Sequence, residues 1–296
     1  MKIAFIAAGA GDTYCGACNH DVTLIRGLIA RGHDVTVIPL YTPLKIEPGE
    51  ALPQSRIFYG GINVYLQQAL GLFRRTPAFV DRWFDRPALL RLASKFAVKT
   101  RPESLGPMTV SVLEGARGRQ RKEVRKLVSH IETLRPDVIH LTNTMLSGIV
   151  PVLKARRDAP AIVATCQGED AFVESIPSPW SERARDLMQN HARMLEGIAA
   201  PCRAAADRMA AFLDVAPEAV SIVPPGIDVN AYIDNRETQT ADGPIVGYLS
   251  RIGPEKGLDV LIEAARIVRD RGVEFRIDVA GRVVDNGFYK DVRARI

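Results

Sequence analysis

The sequence predicts a doubly wound α/β domain followed by the start of a second one, and three observations carry that prediction. Short apolar runs recur at Lys2–Ala8, Asp34–Pro39, Asp137–Leu141, Ala161–Thr165, Gly197–Ala200 and Val220–Val223. They do not alternate polar with apolar, which marks strands buried on both faces of a parallel sheet. Helix-like segments separate them, as the crossovers of such a sheet require. The chain has 296 residues, 47% of them hydrophobic, which suffices for one large core and more naturally two.

The first strand leads into a glycine-rich loop, "AGAGDTYCGACNHD", and then a helix over His20–Ala30. Leu24, Ile25, Leu28 and Ile29 share one face of that helix, and Gly32 ends it. Residues 41 to 120 break the rhythm, and a helical insertion is expected over about 60–120. Within it, Gly71–Lys99 alternates Phe73, Phe79, Trp83, Phe84 and Phe96 with Arg74, Arg75, Arg82, Arg86 and Arg91. Two readings stay open: edge-packed helices with basic outer faces, or a peripheral membrane-surface or lipid-acceptor patch. Arg117–Lys126 reads as the solvated face of a helix ending near Arg135.

The polar, Gly/Pro-punctuated stretch Tyr232–Pro244 reads as a linker. The expected organisation is a first domain over 1–233, a linker over 234–243 and a second domain over 244–296. The second opens with strands at Ile245–Leu249 and Phe275–Ala280, and Phe288, Val292 and Ile296 then recur every four residues without a stop signal. Roughly fifty residues do not normally close an α/β sheet, so this domain is expected to be cut short.

A net charge of +5, from 39 basic and 34 acidic residues, is too small to imply nucleic acid. It suits an acidic small molecule or an anionic membrane surface. The apolar run at the N-terminus stops at glycines after Ala8, unlike a signal peptide, and nothing approaches the ~20 apolar residues of a spanning helix. Four unevenly spaced cysteines fit a reducing compartment. The expected location is cytoplasmic, with peripheral contact at the inner membrane face.

The loop after the first strand lies at the ligand-binding edge of such a sheet. A dinucleotide fingerprint needs glycine where Tyr14 stands, and the second strand ends in "VIPLY" without a ribose-binding acid. No G-x-x-x-x-G-K-[ST] phosphate loop occurs. Cys15 and Cys18 form a C-x-x-C of the thiol-redox kind, and Cys166 and Cys202 each follow a predicted strand, so four thiols could meet on one edge as ligands of zinc or an iron–sulfur cluster. The competing reading is of small buried hydrophobes. Other strand ends carry His140, Thr142 and Asn143, then Gln167, Glu169 and Asp170, then Gly226 and Asp228. Beyond the linker, Arg251 and Lys256 flank the start of a predicted helix, where cations oppose the helix dipole unless an anion lies between them. A solvated loop with outward side chains is the alternative.

Four segments together give the chain a resemblance to the family 4 glycosyltransferases, retaining enzymes of the GT-B fold related to glycogen synthases. "LIARGHDVTVIP" resembles the family's first helix end and second strand, and "RPDVIHLTN" its D-V-x-H-x-H segment. "VPPGIDVNAY" resembles the interdomain P-x-G-[IV]-D motif, and "VGYLSRIGPEKGLDVLIEAA" the donor-site G-x-x-x-R-x-x-x-x-K-G motif. The resemblance implies transfer of a hexosyl-type group, with retention, from a nucleoside-diphosphate sugar to a glycan, lipid or small-molecule acceptor. It implies no metal and no cofactor. Arg251 and Lys256 would hold the diphosphate as the catalytic cations, with Gly16 and Gly257 completing the donor site. His140, Asn143, Gln167 and Asp170 would line the acceptor and sugar side.

The departures are specific. Cys15 stands at the loop's first glycine, Thr142 at the second histidine of the D-V-x-H-x-H segment, and Gln167 where many members carry a sugar-contacting histidine. The downstream E-x7-E carboxylates are absent from the sequence. A module that binds acceptor or partner without turnover, and a cysteine-based redox or metal protein, are the alternative functions.

Overall fold

The computed structural model describes residues 1–9, 16–41, 52–55, 57–59, 102–227, 229 and 243–295. The expected aromatic and basic patch at 71–99 and Cys15 lie outside those residues, as do Asp228 and most of the expected linker. The chain divides into two compact units, Met1–Asp228 and Val229–Ile296.

In the first unit the described elements run β1 (Lys2–Ala7), α1 (Gly16–Ala30), β2 (Asp34–Pro39), α2 (Pro102–Leu113), α3 (Arg121–Leu134), β3 (Val138–Leu141) and α4 (Val150–Lys154). They continue β4 (Ala161–Thr165), α5 (Glu169–Ser175), α6 (Trp180–Ala192), β5 (Gly197–Ala200), α7 (Arg203–Leu213) and β6 (Val220–Ile222). The strands form one sheet in the order β2-β1-β3-β4-β5-β6, every described pair parallel. The order reverses between β1 and β3, and such a switch point opens a crevice at the strands' carboxyl ends.

Period-two alternation divides the core between the sheet's faces. Ala4, Ile6, Ile139, Leu141, Ile162 and Ala164 pack with Val124, Leu127, Val128 and Ile131 of α3. Ile3, Phe5 and Ala7 turn to the other face and pack with Cys18 and Ile25 of α1. The basic run of α3 is therefore its outer side, as expected, and Arg135 caps the helix at φ 49°. One boundary differs. Helix α1 begins at Gly16, a turn before His20, so Gly16–Asn19 belong to a helix rather than to the glycine loop.

The second unit holds β7 (Ile245–Leu249), a 3-10 turn (Pro254–Lys256), α8 (Leu258–Asp270), β8 (Arg276–Ala280) and α9 (Asn286–Ala294). Strands β7 and β8 pair in parallel. Ile252, Leu258, Ile262 and Val292 make its small core. Among the described residues no helix is long and apolar enough to cross a membrane.

Candidate functional site

At the switch point of the first unit, three side chains from three elements meet. Asp21 of α1 accepts from Thr142 Oγ1, just past β3, at 2.5 Å. Gln167, just past β4, donates from Nε2 to Asp21 Oδ1 at 3.2 Å and to Thr142 Oγ1 at 3.3 Å. Alternation explains the meeting. His140 and Thr142 on the β3 line, and Thr165 and Gln167 on the β4 line, all face α1. Asp21 is only 2% exposed. Burial pushes its carboxyl up to about 6, against the pull of Thr142, His20 and Gln167. His20 Nδ1 lies 3.7 Å from Asp21 Oδ1.

One layer deeper, His140 sits within β3, in register with Phe5 and Val163. Its ring lies 4.4 Å from the Phe5 ring, and Nε2 meets Thr165 Oγ1 at 2.9 Å. Burial, and then His20, lower its pKa to about 4, so it is neutral near pH 7. His140 is half-buried and lies one pleat below Thr142 on the same face of the sheet.

Glu169, 5% exposed, joins the loops after β3 and β4. Its Oε1 accepts from Thr144 N at 2.8 Å and Thr144 Oγ1 at 2.5 Å, and its Oε2 accepts from Gln167 N at 2.6 Å. Gly168 between them takes φ +84°, a conformation that turns the chain into α5 and that a β-carbon would strain. Asp170 is 3% exposed and engaged by Arg208 of α7 at 3.4 Å, so its carboxylate is held by the protein. Asn143 leads into the 3-10 turn Thr144–Ile149, and its buried Oδ1 has no hydrogen bond. Gly226 is exposed.

The four-thiol constellation is not assembled among the described residues. Cys18 packs on the α1 face with Phe5 and Ala7, whereas Cys166 continues the Ile162 and Ala164 side of β4. Two-residue periodicity therefore puts the sheet between them. Burial also raises the Cys166 thiol pKa, with Glu169 and Asp170 adding to the shift. Cys202 is exposed before α7, and no group of three or more His, Cys, Asp or Glu able to hold a metal occurs among the described residues.

In the second unit, Ile252 pins the turn that carries both cations. Its side chain is 5% exposed, and its backbone N–H donates to Arg282 O at 2.8 Å. Tyr248 Oη reaches the carbonyls of Arg251 and Lys256 at 3.3 and 3.4 Å. Arg251 lies 3.6 Å from Glu255 with both side chains more than half exposed, a pairing of little energetic weight. The Lys256 side chain is exposed and has no hydrogen bond or ion pair among the described residues. Gly257 precedes α8 at φ +68° without a capping side chain, which leaves first-turn N–H groups open. The turn is not purely cationic, since Glu255 and Asp259 also stand there. Gly16, at the exposed start of α1, faces open space where a β-carbon would stand.

The sequence reading missed Asp21 and the bracing role of Glu169. A signal for Asp21 was present. It falls at i+3 from Cys18 and i−4 from Ile25, on the buried stripe of α1.

A glycosyl transferase 4-like domain matches residues 22–226, more than half of the chain. A GDP-mannose-dependent alpha-mannosyltransferase from Mycobacterium tuberculosis (strain CDC 1551 / Oshkosh) is 25% identical over 270 residues, covering 88% of this chain. The chain spans 58% of that relative's length. The structure of a glycosyltransferase from Rickettsia africae ESF-5 aligns with a TM-score of 0.53 at 12% identity, over 100% of this chain and 64% of that one. Sucrose-phosphate synthase from Thermosynechococcus elongatus aligns with a TM-score of 0.54 at 13% identity, over 99% of this chain and 73% of that one. These likenesses are of fold, helix-covered parallel sheets of the GT-B type. With the family match over residues 22–226, which hold β2 to β6 of the sheet, the chain belongs to the glycosyl transferase 4-like family.

Proposed function

We propose that this protein is a glycosyltransferase that moves a sugar, with retention and without a metal, from a nucleoside-diphosphate sugar to an acceptor hydroxyl. The observation that carries the reading is Lys256, a partnerless ammonium beside the uncapped N-terminus of α8 among the described residues. Together with Arg251 it offers a diphosphate two cations and open backbone N–H groups. In the reaction the acceptor oxygen bonds to the anomeric carbon, the bond from that carbon to the diphosphate breaks, and the acceptor proton leaves. Negative charge grows on the departing diphosphate, and preorganised cations stabilise it in the role a metal plays elsewhere. The mycobacterial relative is described as GDP-mannose-dependent, which makes GDP-mannose the first donor to try. In this reading Gln167, held by Asp21 and Thr142 of the first unit, would hydrogen-bond the transferred sugar. The test is transfer from GDP-mannose to a panel of glycan, lipid and small-molecule acceptors, with and without a chelator. Turnover that survives the chelator supports the reading, and turnover restored only by a divalent ion contradicts its metal-free part.

A further inference from the structure

Gln167 stands past the end of β4 with its amide nitrogen turned inward, 3.2 Å from Asp21 Oδ1 and 3.3 Å from Thr142 Oγ1. An ionised carboxylate only accepts hydrogen bonds, and the single hydroxyl proton of Thr142 is committed to Asp21 Oδ2 at 2.5 Å. Both neighbours of the amide can therefore receive a proton and neither can give one. That holds the amide in one of its two flips. Its oxygen, Oε1, points away from the cluster, accepts no hydrogen bond from the described residues and is not among their buried unpaired atoms. Asparagine at position 21 would offer one acceptor and one donor, and would lose this one-way constraint.

We propose that Asp21 is a positioning residue: its carboxylate, with Thr142, fixes Gln167 so that Oε1 is an obligate acceptor for a hydroxyl of the transferred sugar. The inference rests on the glycosyl-transfer reading above. The buried charge is kept although burial opposes it, which suits a polarity that a neutral side chain would not impose. Around Asp21 the titratable groups among the described residues are His20 on α1, His140 on β3, and Glu169 at the start of α5. A proton on Asp21, whose carboxyl sits at about 6, supplies a donor to the cluster and frees the amide to turn.

The test follows the Gln167 side-chain amide by NMR from pH 5 to 8 in the full chain, alongside transfer kinetics and GDP binding. In the wild type the amide signals should move with a midpoint near 6. Asp21→Asn and Asp21→Leu should abolish that movement, and Asp21→Leu should lower kcat about tenfold, the scale of one hydrogen bond, with GDP affinity unchanged. Amide signals that titrate alike in wild type and variants overturn the proposal, as does an unchanged kcat in folded Asp21→Leu. If Asp21→Leu does not fold, the near-isosteric Asp21→Asn decides from the amide titration. If the wild type neither binds GDP nor transfers sugar, the glycosyl-transfer reading falls, and the amide spectrum still decides whether Asp21 holds Gln167.

Discussion

Thr142 Oγ1 donates to Asp21 Oδ2 at 2.5 Å, joining residues 121 positions apart across the point where the strand order reverses. The contact gathers a helix and two strand-end loops around one buried carboxylate. Such a carboxylate costs stability, and the cost gives the first prediction. The folded state raises the pKa of Asp21 to about 6, so it binds that proton more readily than the unfolded chain does. Stability from this group is therefore greatest in acid and falls as pH rises from about 4 to 6. Asp21→Asn is expected to stabilise the protein at pH 7.5 by about 1–3 kcal/mol and to leave it little changed at pH 4. Urea unfolding at the two pH values measures this, and destabilisation at pH 7.5 would show that Asp21 is there for stability.

Half-buried His140 and buried His191 act in the opposite sense. Burial lowers His140 and His191 to about 4, the latter held by Ser147 Oγ at 3.1 Å with Arg117 adding to its shift. The unfolded chain takes up those protons first, so stability is lost as pH falls from 6.5 towards 4. Each is worth up to about 3 kcal/mol over that window, and the pair outweighs the gain from Asp21. Unfolding free energy should therefore fall by roughly 3 kcal/mol between pH 6.5 and 4. His191→Gln should flatten the slope in the same denaturation series.

Glu169 supplies a test of the loop brace. Glu169→Ala removes the acceptor for Thr144 N, Thr144 Oγ1 and Gln167 N together. Leaving buried donors unpaired costs about 1–3 kcal/mol each, so a loss of about 3 kcal/mol or more is expected. Glu169→Gln, which keeps one acceptor oxygen, should lose about half as much. Thermal melts compare the two, and equal losses would argue against the brace.

The thiols separate by environment. Cys202 is exposed, whereas Cys18 and Cys166 are buried and the Cys166 thiol is hard to ionise. An aromatic disulfide reagent should modify Cys202 quickly, while Cys18 and Cys166 react only on unfolding, as mass mapping of the labelled peptides would show. Fast labelling of native Cys166 would contradict its placement behind the sheet.

The strands were the most legible part of the sequence. Asp34–Pro39, Ala161–Thr165, Gly197–Ala200 and Ile245–Leu249 stand where the unbroken apolar runs put them. A parallel sheet covered on both faces writes itself as such runs. The start of α1 was not legible, because Gly16, Ala17 and Cys18 carry no capping signal and glycine reads as loop. The site was legible by place more than by role. Gln167 and Thr142 could be put at strand ends, but the partner that orients them is an acid on a helix, and acids on helices are usually solvated. His140 looked like a rim residue because its run ends one position later. Only the register with Phe5 and Val163 places it beside the Phe5 ring and Thr165, on the face that carries Asp21.

The central claim is that Arg251 and Lys256 hold a donor diphosphate without a metal. Calorimetric titration of GDP into wild type, Arg251→Ala and Lys256→Ala in the presence of a chelator tests it most directly. The account predicts binding by the wild type and a loss of about tenfold or more in each variant, the scale of one charge-assisted hydrogen bond, with unchanged melting temperatures. Equal affinity in all three proteins, or binding by the wild type only after a divalent ion is added, would contradict it.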